Sequence, residues 1–165
     1  MRFRLVAVFL LLSPFLYSQA APKVGQSAPD FTLTDSSGSR VKLSALKGKV
    51  VLLDFWATWC HGCQIEIPWY MDFERKYDSA GLVAIGVSMD EDGWKAVRPY
   101  LKEHALNYPV VIATKDVAKE YGGLPSLPVT LLIDRQGNVA ESHAGMVDKD
   151  DFEKKIKLLL HDSGT

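Results

Sequence analysis

The sequence predicts an α/β fold in which a mixed central sheet is flanked by helices on both faces. Three observations predict it. Two apolar runs, V-V-L-L-D-F-W at 50–56 and L-V-A-I-G-V-S-M at 82–89, have the length and composition of strands buried on both faces. Each is followed by a stretch of helical character, the βαβ order that lays strands parallel. Alternating segments on either side of short turns, near both ends of the chain, read as antiparallel hairpins.

The elements follow in order. F-T-L-T and R-V-K-L flank D-S-S-G-S, so residues 31–43 form an N-terminal β-hairpin. The strand at 50–56 leads into a helix over 61–78 with Pro68 inside it. The strand at 82–89 is followed by a helix over Glu91–His104, which Pro99 could kink or split. Tyr108–Ile112 reads as a strand and Val117–Tyr121 as a short helix. V-T-L-L-I-D (129–134) and N-V-A-E-S-H-A (138–144) flank Arg135-Gln136-Gly137, a second hairpin whose turn glycine suits a positive φ. Lys149–His161 closes the chain as an amphipathic helix with Phe152, Ile156, Leu159 and Leu160 on its apolar side.

Residues 1–20 differ from the rest. Arg2 and Arg4 precede the apolar run Leu5–Leu12, and Ser18-Gln19-Ala20 supplies small residues for cleavage, so the segment reads as a secretory signal peptide cut after Ala20. A membrane anchor is the competing reading, but Leu5–Tyr17 is only 13 residues, against the ~20 a spanning helix needs. The expected organisation is therefore a signal peptide at 1–20 and one domain at 21–165, secreted or periplasmic. Cleavage would remove two of 19 basic residues and none of the 20 acidic ones, leaving a net charge of −3. That balance gives no footprint for nucleic acid or anionic lipid. Nothing calls for a second copy, so a monomer is expected.

Both cysteines of the chain, Cys60 and Cys63, stand in D-F-W-A-T-W-C-H-G-C-Q-I-E-I-P at 54–68. A structural staple across so short a loop would remove little entropy from the unfolded chain. A structural zinc site wants four ligands, and no second cysteine pair exists. Haem attachment needs histidine after the second cysteine, where this chain has Gln64. Dithiol–disulfide exchange remains. With Cys60 at the start of the 61–78 helix, Cys63 lies one turn on, and helix geometry sets their α-carbons roughly 5 Å apart, within reach of a disulfide. The helix N-terminus stabilises a thiolate at Cys60. Cys60 is then the attacking nucleophile and Cys63 the resolving thiol.

The same stretch, with Pro68 five residues beyond Cys63, resembles the thioredoxin active site. Three further features are similar to the secreted TlpA/ResA/CcmG-like thiol–disulfide oxidoreductases: G-Q-S-A-P-D-F-T-L with its hairpin, C-x-x-C-x-x-E-x-P ending in Glu66 and Pro68, and an additional helix and strand between Asp92 and about Ala113. The resemblance covers about residues 24–160. It implies a thioredoxin-like fold carrying an N-terminal hairpin and a central helix–strand insertion. It also implies an enzyme whose only redox group is the Cys60–Cys63 disulfide, with no metal and no other cofactor.

The resemblance assigns roles to further residues. Asp54 matches the buried aspartate of thioredoxin that takes the proton of the resolving cysteine. A carboxyl between V-V-L-L and F-W should be desolvated, with the raised pKa such a base needs. Pro128 in S-L-P-V-T matches the cis-proline facing the dithiol, which turns the backbone of Leu127 toward a substrate strand. Pro125, three residues earlier, reads as an ordinary trans loop proline. Trp59 shapes the rim beside Cys60, whereas Trp56 packs inside. A cationic imidazole at His61, inside the dithiol loop, would favour the Cys60 thiolate. Glu66 has a family position and no role derivable from sequence, and it reads equally as a solvated helix residue; Asp90 and Glu91 follow the second buried strand, where some relatives place an acid near the active site, and otherwise read as exposed loop acids.

The implied activity is reduction of disulfides in extracytoplasmic proteins, with cytochrome c maturation as the family's best-known use. Expected partners are disulfide-containing substrate proteins and a membrane thiol-reductant donor. Two other classes share parts of the pattern. A-P-D-F-T-L also occurs in peroxiredoxins, but the Pro and Thr they carry seven and three residues before the cysteine are Leu53 and Ala57 here. A metal- or haem-handling module could use the same two thiols without exchange.

Overall fold

The computed structural model describes residues 21–162, so the leader at 1–20 lies outside the described residues. A small antiparallel sheet comes first, pairing β1 (Thr32–Thr34) with β2 (Arg40–Lys42). A single 3₁₀ turn, Leu43–Leu46, leads to β3 (Val50–Trp56). Then follow α1 (His61–Tyr77), β4 (Leu82–Ser88), α2 (Trp94–Glu103), β5 (Val110–Ile112) and α3 (Lys115–Glu120). The chain continues through β6 (Val129–Ile133) and β7 (Val139–Ala144) to α4 (Lys149–His161).

The main sheet has the order β5-β4-β3-β6-β7. β3, β4 and β5 run parallel, and β6 and β7 are antiparallel to their neighbours. This is the expected mixed sheet, with β3 at its centre. The inserted α2–β5 unit supplies its parallel edge strand.

Every residue of β3 is buried, and strand alternation divides them between two cores. Val50, Leu52 and Trp56 join Cys63, Ile67, Tyr70 and Phe73 of α1, Val97 of α2, and Phe152 and Ile156 of α4. Val51, Leu53 and Phe55 pack instead with Phe31 and Leu33 of the hairpin region and with Val117 and Tyr121 at α3. A run apolar at nearly every position is therefore what a two-faced central strand requires. Trp56, Tyr70, Phe55 and Phe73 are among the largest fully buried side chains, and each such burial contributes roughly 1.5–3 kcal/mol.

Two helix starts differ from the sequence expectation. The helix expected from Glu91 begins at Trp94, because Glu91–Gly93 form a turn closed by Gly93 N–H donating to Asp90 O at 2.9 Å. Gly93 holds φ at +53°, a backbone state that suits glycine and not helix propagation. The short helix expected from Val117 begins at Lys115, because the Thr114 hydroxyl caps it by accepting the Val117 N–H at 3.2 Å. Pro99 lies inside a single continuous α2.

Candidate active site: the dithiol and its buried acids

β3 ends at Trp56, and Ala57–Cys60 carry the chain to α1. Cys60 is the N-cap residue, extended at φ −83° and ψ 105°, and its Sγ accepts the Cys63 N–H at 3.2 Å. Cys60 and Cys63 form a disulfide with α-carbons 5.3 Å apart. The sulfur of Cys60 thus stands where a helix leaves its first N–H groups unpaired, and a negative charge formed there is stabilised by them.

The loop that presents Cys60 is braced from the end of β4. Asp90 is buried, and its two carboxylate oxygens accept the Thr58 N–H at 3.0 Å and the Thr58 hydroxyl at 2.6 Å. The Ser88 hydroxyl donates to the same carboxylate at 2.8 Å. From the other side, Gln64 Nε2 donates to Thr58 O at 2.7 Å. Asp90 is therefore not an exposed loop acid, although Glu91 beside it is exposed.

A second acidic group lies on β3, on the face that Leu52 and Trp56 turn toward α1. Asp54 is 1% exposed, and neither of its carboxylate oxygens has a hydrogen-bond partner. Burial, with the Glu66 charge adding to it, pushes its carboxyl well above the usual aspartate range. Glu66 is fully buried on α1. Its Oε1 accepts the Val147 N–H at 2.6 Å while Oε2 stays unpaired, and burial raises its carboxyl too. Tyr70 completes the cluster, with its hydroxyl 2.9 Å from that of Thr130. Burial and the neighbouring Asp54 and Glu66 charges hold this phenol in its neutral form.

Glu66 was open to a solvated reading in the sequence, yet a signal for its burial was present. It stands on the stripe Cys63, Ile67, Tyr70, Phe73, all buried along α1, at the helical spacing that marks one face. No comparable local signal marks Asp90 or the loop before α4.

The remaining candidate residues frame the dithiol from outside. The Leu127–Pro128 peptide is cis. Pro128 Cδ lies 3.3 Å from where a Cβ on Gly62 would be, and Met146 Cγ lies 3.2 Å from it. A side chain at Gly62 would thus crowd Pro128 and Met146. Leu127 is half-buried, and no backbone hydrogen bond ties it to the rest of the described chain. Trp59 is 70% exposed, and His61 is exposed beside it. Among the described residues no group of three or more His, Cys, Asp or Glu side chains could hold a metal ion, and no helix is long and apolar enough to cross a membrane.

Residues 24–142 match the model of the AhpC/TSA family. The thiol–disulfide oxidoreductase ResA of Bacillus thuringiensis subsp. konkukian is 34% identical over 152 residues, spanning 92% of this chain and 87% of that protein. The thioredoxin-like protein YneN of Bacillus subtilis is 36% identical over 135 residues, 81% of this chain and 79% of that one. Among solved structures, a putative thiol:disulfide interchange protein DsbE from Chlorobium tepidum superposes with a TM-score of 0.79 at 34% identity, covering 85% of this chain and 99% of that one. With the CxxC pair joined at the head of α1, these likenesses agree on one conclusion: the chain belongs to the AhpC/TSA family and, within it, to the thioredoxin-like thiol–disulfide oxidoreductases of the ResA kind.

Proposed function

We propose that the protein is an extracytoplasmic protein-disulfide reductase. The observation that carries this reading is the Cys60–Cys63 pair at the N-terminus of α1, beside the cis bond of Leu127–Pro128. In the reduced protein, the Cys60 thiolate attacks one sulfur of a substrate disulfide. The substrate's S–S bond breaks, and its second sulfur leaves as a thiolate that takes up a proton. Cys63 gives its proton to Asp54 and attacks Cys60 Sγ, which forms the intramolecular disulfide and releases the other substrate thiol. The substrate is reduced by two electrons, and the pair Cys60–Cys63 is oxidised by two. Asp54 suits the proton step because burial, with the Glu66 charge adding to it, raises its carboxyl well above the usual aspartate range and makes it a stronger base than a solvated aspartate.

Leu127 offers an unbonded main chain to a substrate strand, and Trp59 and His61 stand exposed on the approach to Cys60. No other cofactor or metal is needed for these steps. The charged, apolar and small-residue order of residues 1–20 supports export by a cleaved leader, with retention as an anchor the alternative. An oxidising compartment implies a membrane dithiol donor to return electrons to the Cys60–Cys63 disulfide. Cytochrome c maturation is a fitting use, and the protein acts as a monomer.

The test is direct. Cys60→Ser should abolish reduction of protein disulfides, and Cys63→Ser should accumulate a mixed disulfide through Cys60, visible by intact mass. Retained turnover in Cys60→Ser would sink the mechanism. The thiol-peroxidase reading is tested on the same reduced protein, since it requires rapid sulfenic acid at Cys60 with hydrogen peroxide.

A further inference from the structure

Asp54 shares its lack of a partner with two neighbours. The indole Nε1 of Trp56 and the hydroxyl of Tyr108 are also buried and unpaired among the described residues. The indole is a donor, the phenol can be one, and the carboxylate accepts. Polar groups left unpaired in a core cost free energy, so three that complement one another require an explanation.

The three stand around Gly86 of β4. Gly86 is the register partner of Asp54 in the β3–β4 ladder, which sets the two residues on one face of the sheet about 5 Å apart. Trp56 follows Asp54 by two residues and turns to the same face. A Cβ at Gly86 would lie 3.0 Å from Trp56 Nε1 and 3.3 Å from Tyr108 Cε2. The absent side chain is what lets the indole nitrogen and the phenol ring reach the flank of Asp54.

Tyr108 belongs to the inserted α2–β5 unit and is anchored on both sides. Asn107 Nδ2 donates to Met71 O of α1 at 3.0 Å, and Pro109 O accepts the Gly86 N–H at 2.9 Å. Tyr100 of α2 packs on Trp56 with ring centroids 5.1 Å apart. It also walls a groove of about 400 Å³ together with Ile67, Pro68 and Met71 of α1. Solvent thus comes to within one aromatic layer of the buried groups.

We propose that Tyr108 is a positioning residue for the proton step: its hydroxyl and the Trp56 N–H hold a water molecule that donates to the Asp54 carboxylate. That water accepts from the indole and the phenol and gives its own hydrogens to Asp54, which pairs all three groups at once. Donors aimed at a carboxylate favour its ionised form, the form that can take the Cys63 proton. The inserted unit therefore acts on the chemistry through Asp54, besides supplying an edge strand.

Glu66 and Tyr70 face Asp54 from α1, and Tyr100 faces it from α2. Glu74 of α1 faces Tyr108, and His143 of β7 faces Glu66. Burial, with the Asp54 charge adding to it, holds the three phenols neutral. Glu66 is thus the neighbour whose ionisation is coupled to that of Asp54.

This inference rests on the disulfide-reductase reading, and two measurements separate them. The Asp54 carboxyl is titrated by carbon-13 NMR in the oxidised protein, where neither cysteine titrates. Insulin reduction is followed over the same pH range with dithiothreitol as the recycling reductant. The variants are Tyr108→Phe, the same change combined with Asp54→Asn, and Tyr121→Phe, which removes a hydroxyl bonded to Pro29 O in the other core.

Tyr108→Phe is expected to raise the Asp54 midpoint by about one pH unit. The rising limb of the turnover profile moves by the same interval, a loss of about 10-fold below it. Tyr121→Phe leaves midpoint and profile unchanged. In the Asp54→Asn background, Tyr108→Phe changes turnover less than about 2-fold, since its effect passes through Asp54. In wild type the Trp56 Hε1 resonance shifts with the Asp54 midpoint, a reading that needs no variant. An unshifted Asp54 midpoint in folded Tyr108→Phe overturns the inference. So does a flat Trp56 resonance, an equal shift in Tyr121→Phe, or a 10-fold loss that persists with Asp54→Asn. A wild type that reduces no insulin overturns the reductase reading, while the titrations still decide the hydrogen bond.

Discussion

The carboxylate of Asp90 accepts both the backbone N–H and the hydroxyl of Thr58, two residues before the cysteine that heads α1. One acid just past β4 therefore sets the path of the loop that leads to Cys60. Asp90→Ala leaves the Thr58 N–H and hydroxyl and the Ser88 hydroxyl without their shared acceptor, at a cost of about 2–3 kcal/mol in chemical denaturation. Asp90→Asn keeps one acceptor oxygen and falls between that variant and wild type. Disulfide reduction slows in the same order, since the Cys60 loop loses its support. An Asp90→Ala protein of wild-type stability would refute the brace.

Asp54 makes stability depend on pH in a defined direction. Its folded-state carboxyl is raised by burial and by Glu66, so the folded protein holds a proton that the unfolded chain releases at about pH 3.9. The stabilisation from that proton is complete below the unfolded value and is lost as pH rises toward and through the folded one. Asp54→Asn removes this dependence. The variant should be more stable than wild type by roughly 1–3 kcal/mol at pH 8, with the gap closing near pH 4. Disulfide reduction at neutral pH should fall at least about 10-fold, as expected for loss of a proton acceptor. Denaturation midpoints and turnover measured at both pH values check the two halves separately.

Gly62 has no room for branching. Gly62→Val would set methyl groups against Pro128 and Met146, whose nearest atoms lie only 3.3 and 3.2 Å from where the new Cβ would stand. Met146 can swing outward, but Pro128 is buried in its turn. The expected loss is about 1–3 kcal/mol from overpacking, with a larger proportional loss of turnover as the cis-proline turn is pushed from the dithiol. Gly62→Ala gains helix propensity of ~1 kcal/mol, which offsets most of its milder crowding. Paired denaturation and turnover measurements on the two variants should show that divergence.

Arg135 supplies a contrast far from the redox pair. Its guanidinium donates to Gly48 O at 2.6 Å, Leu160 O at 3.0 Å and Ala80 O at 3.3 Å, tying the β6–β7 turn to three other segments. Arg135→Ala should cost about 2 kcal/mol while leaving the kinetic constants of disulfide reduction unchanged at temperatures where the variant stays folded.

What the sequence made legible is local. The two-faced β3, the hairpins, α1 and the Cys60–Cys63 geometry depend on periodicity and spacing within a few residues. Asp90 and Glu66 depend on partners 32 and 81 residues away, and a polar letter does not announce such a partner. Arg135 had the same character: it read as a turn residue, and its three carbonyl partners come from three separate segments. Met146 was invisible for a related reason, since its position over Gly62 exists only once β7 has closed against β6.

The bond from Val147 to Glu66 also has a consequence in the order of synthesis. The carboxylate leaves the ribosome 81 residues before the amide that satisfies it, roughly 4–16 s earlier at ordinary elongation rates. Throughout that interval α1 carries a carboxylate on the face destined for the core, with water as its only partner. A nascent chain ending short of Val147 would thus keep that face open to solvent. Val147, and then α4 with Phe152 and Ile156, are the last parts of that core to be made.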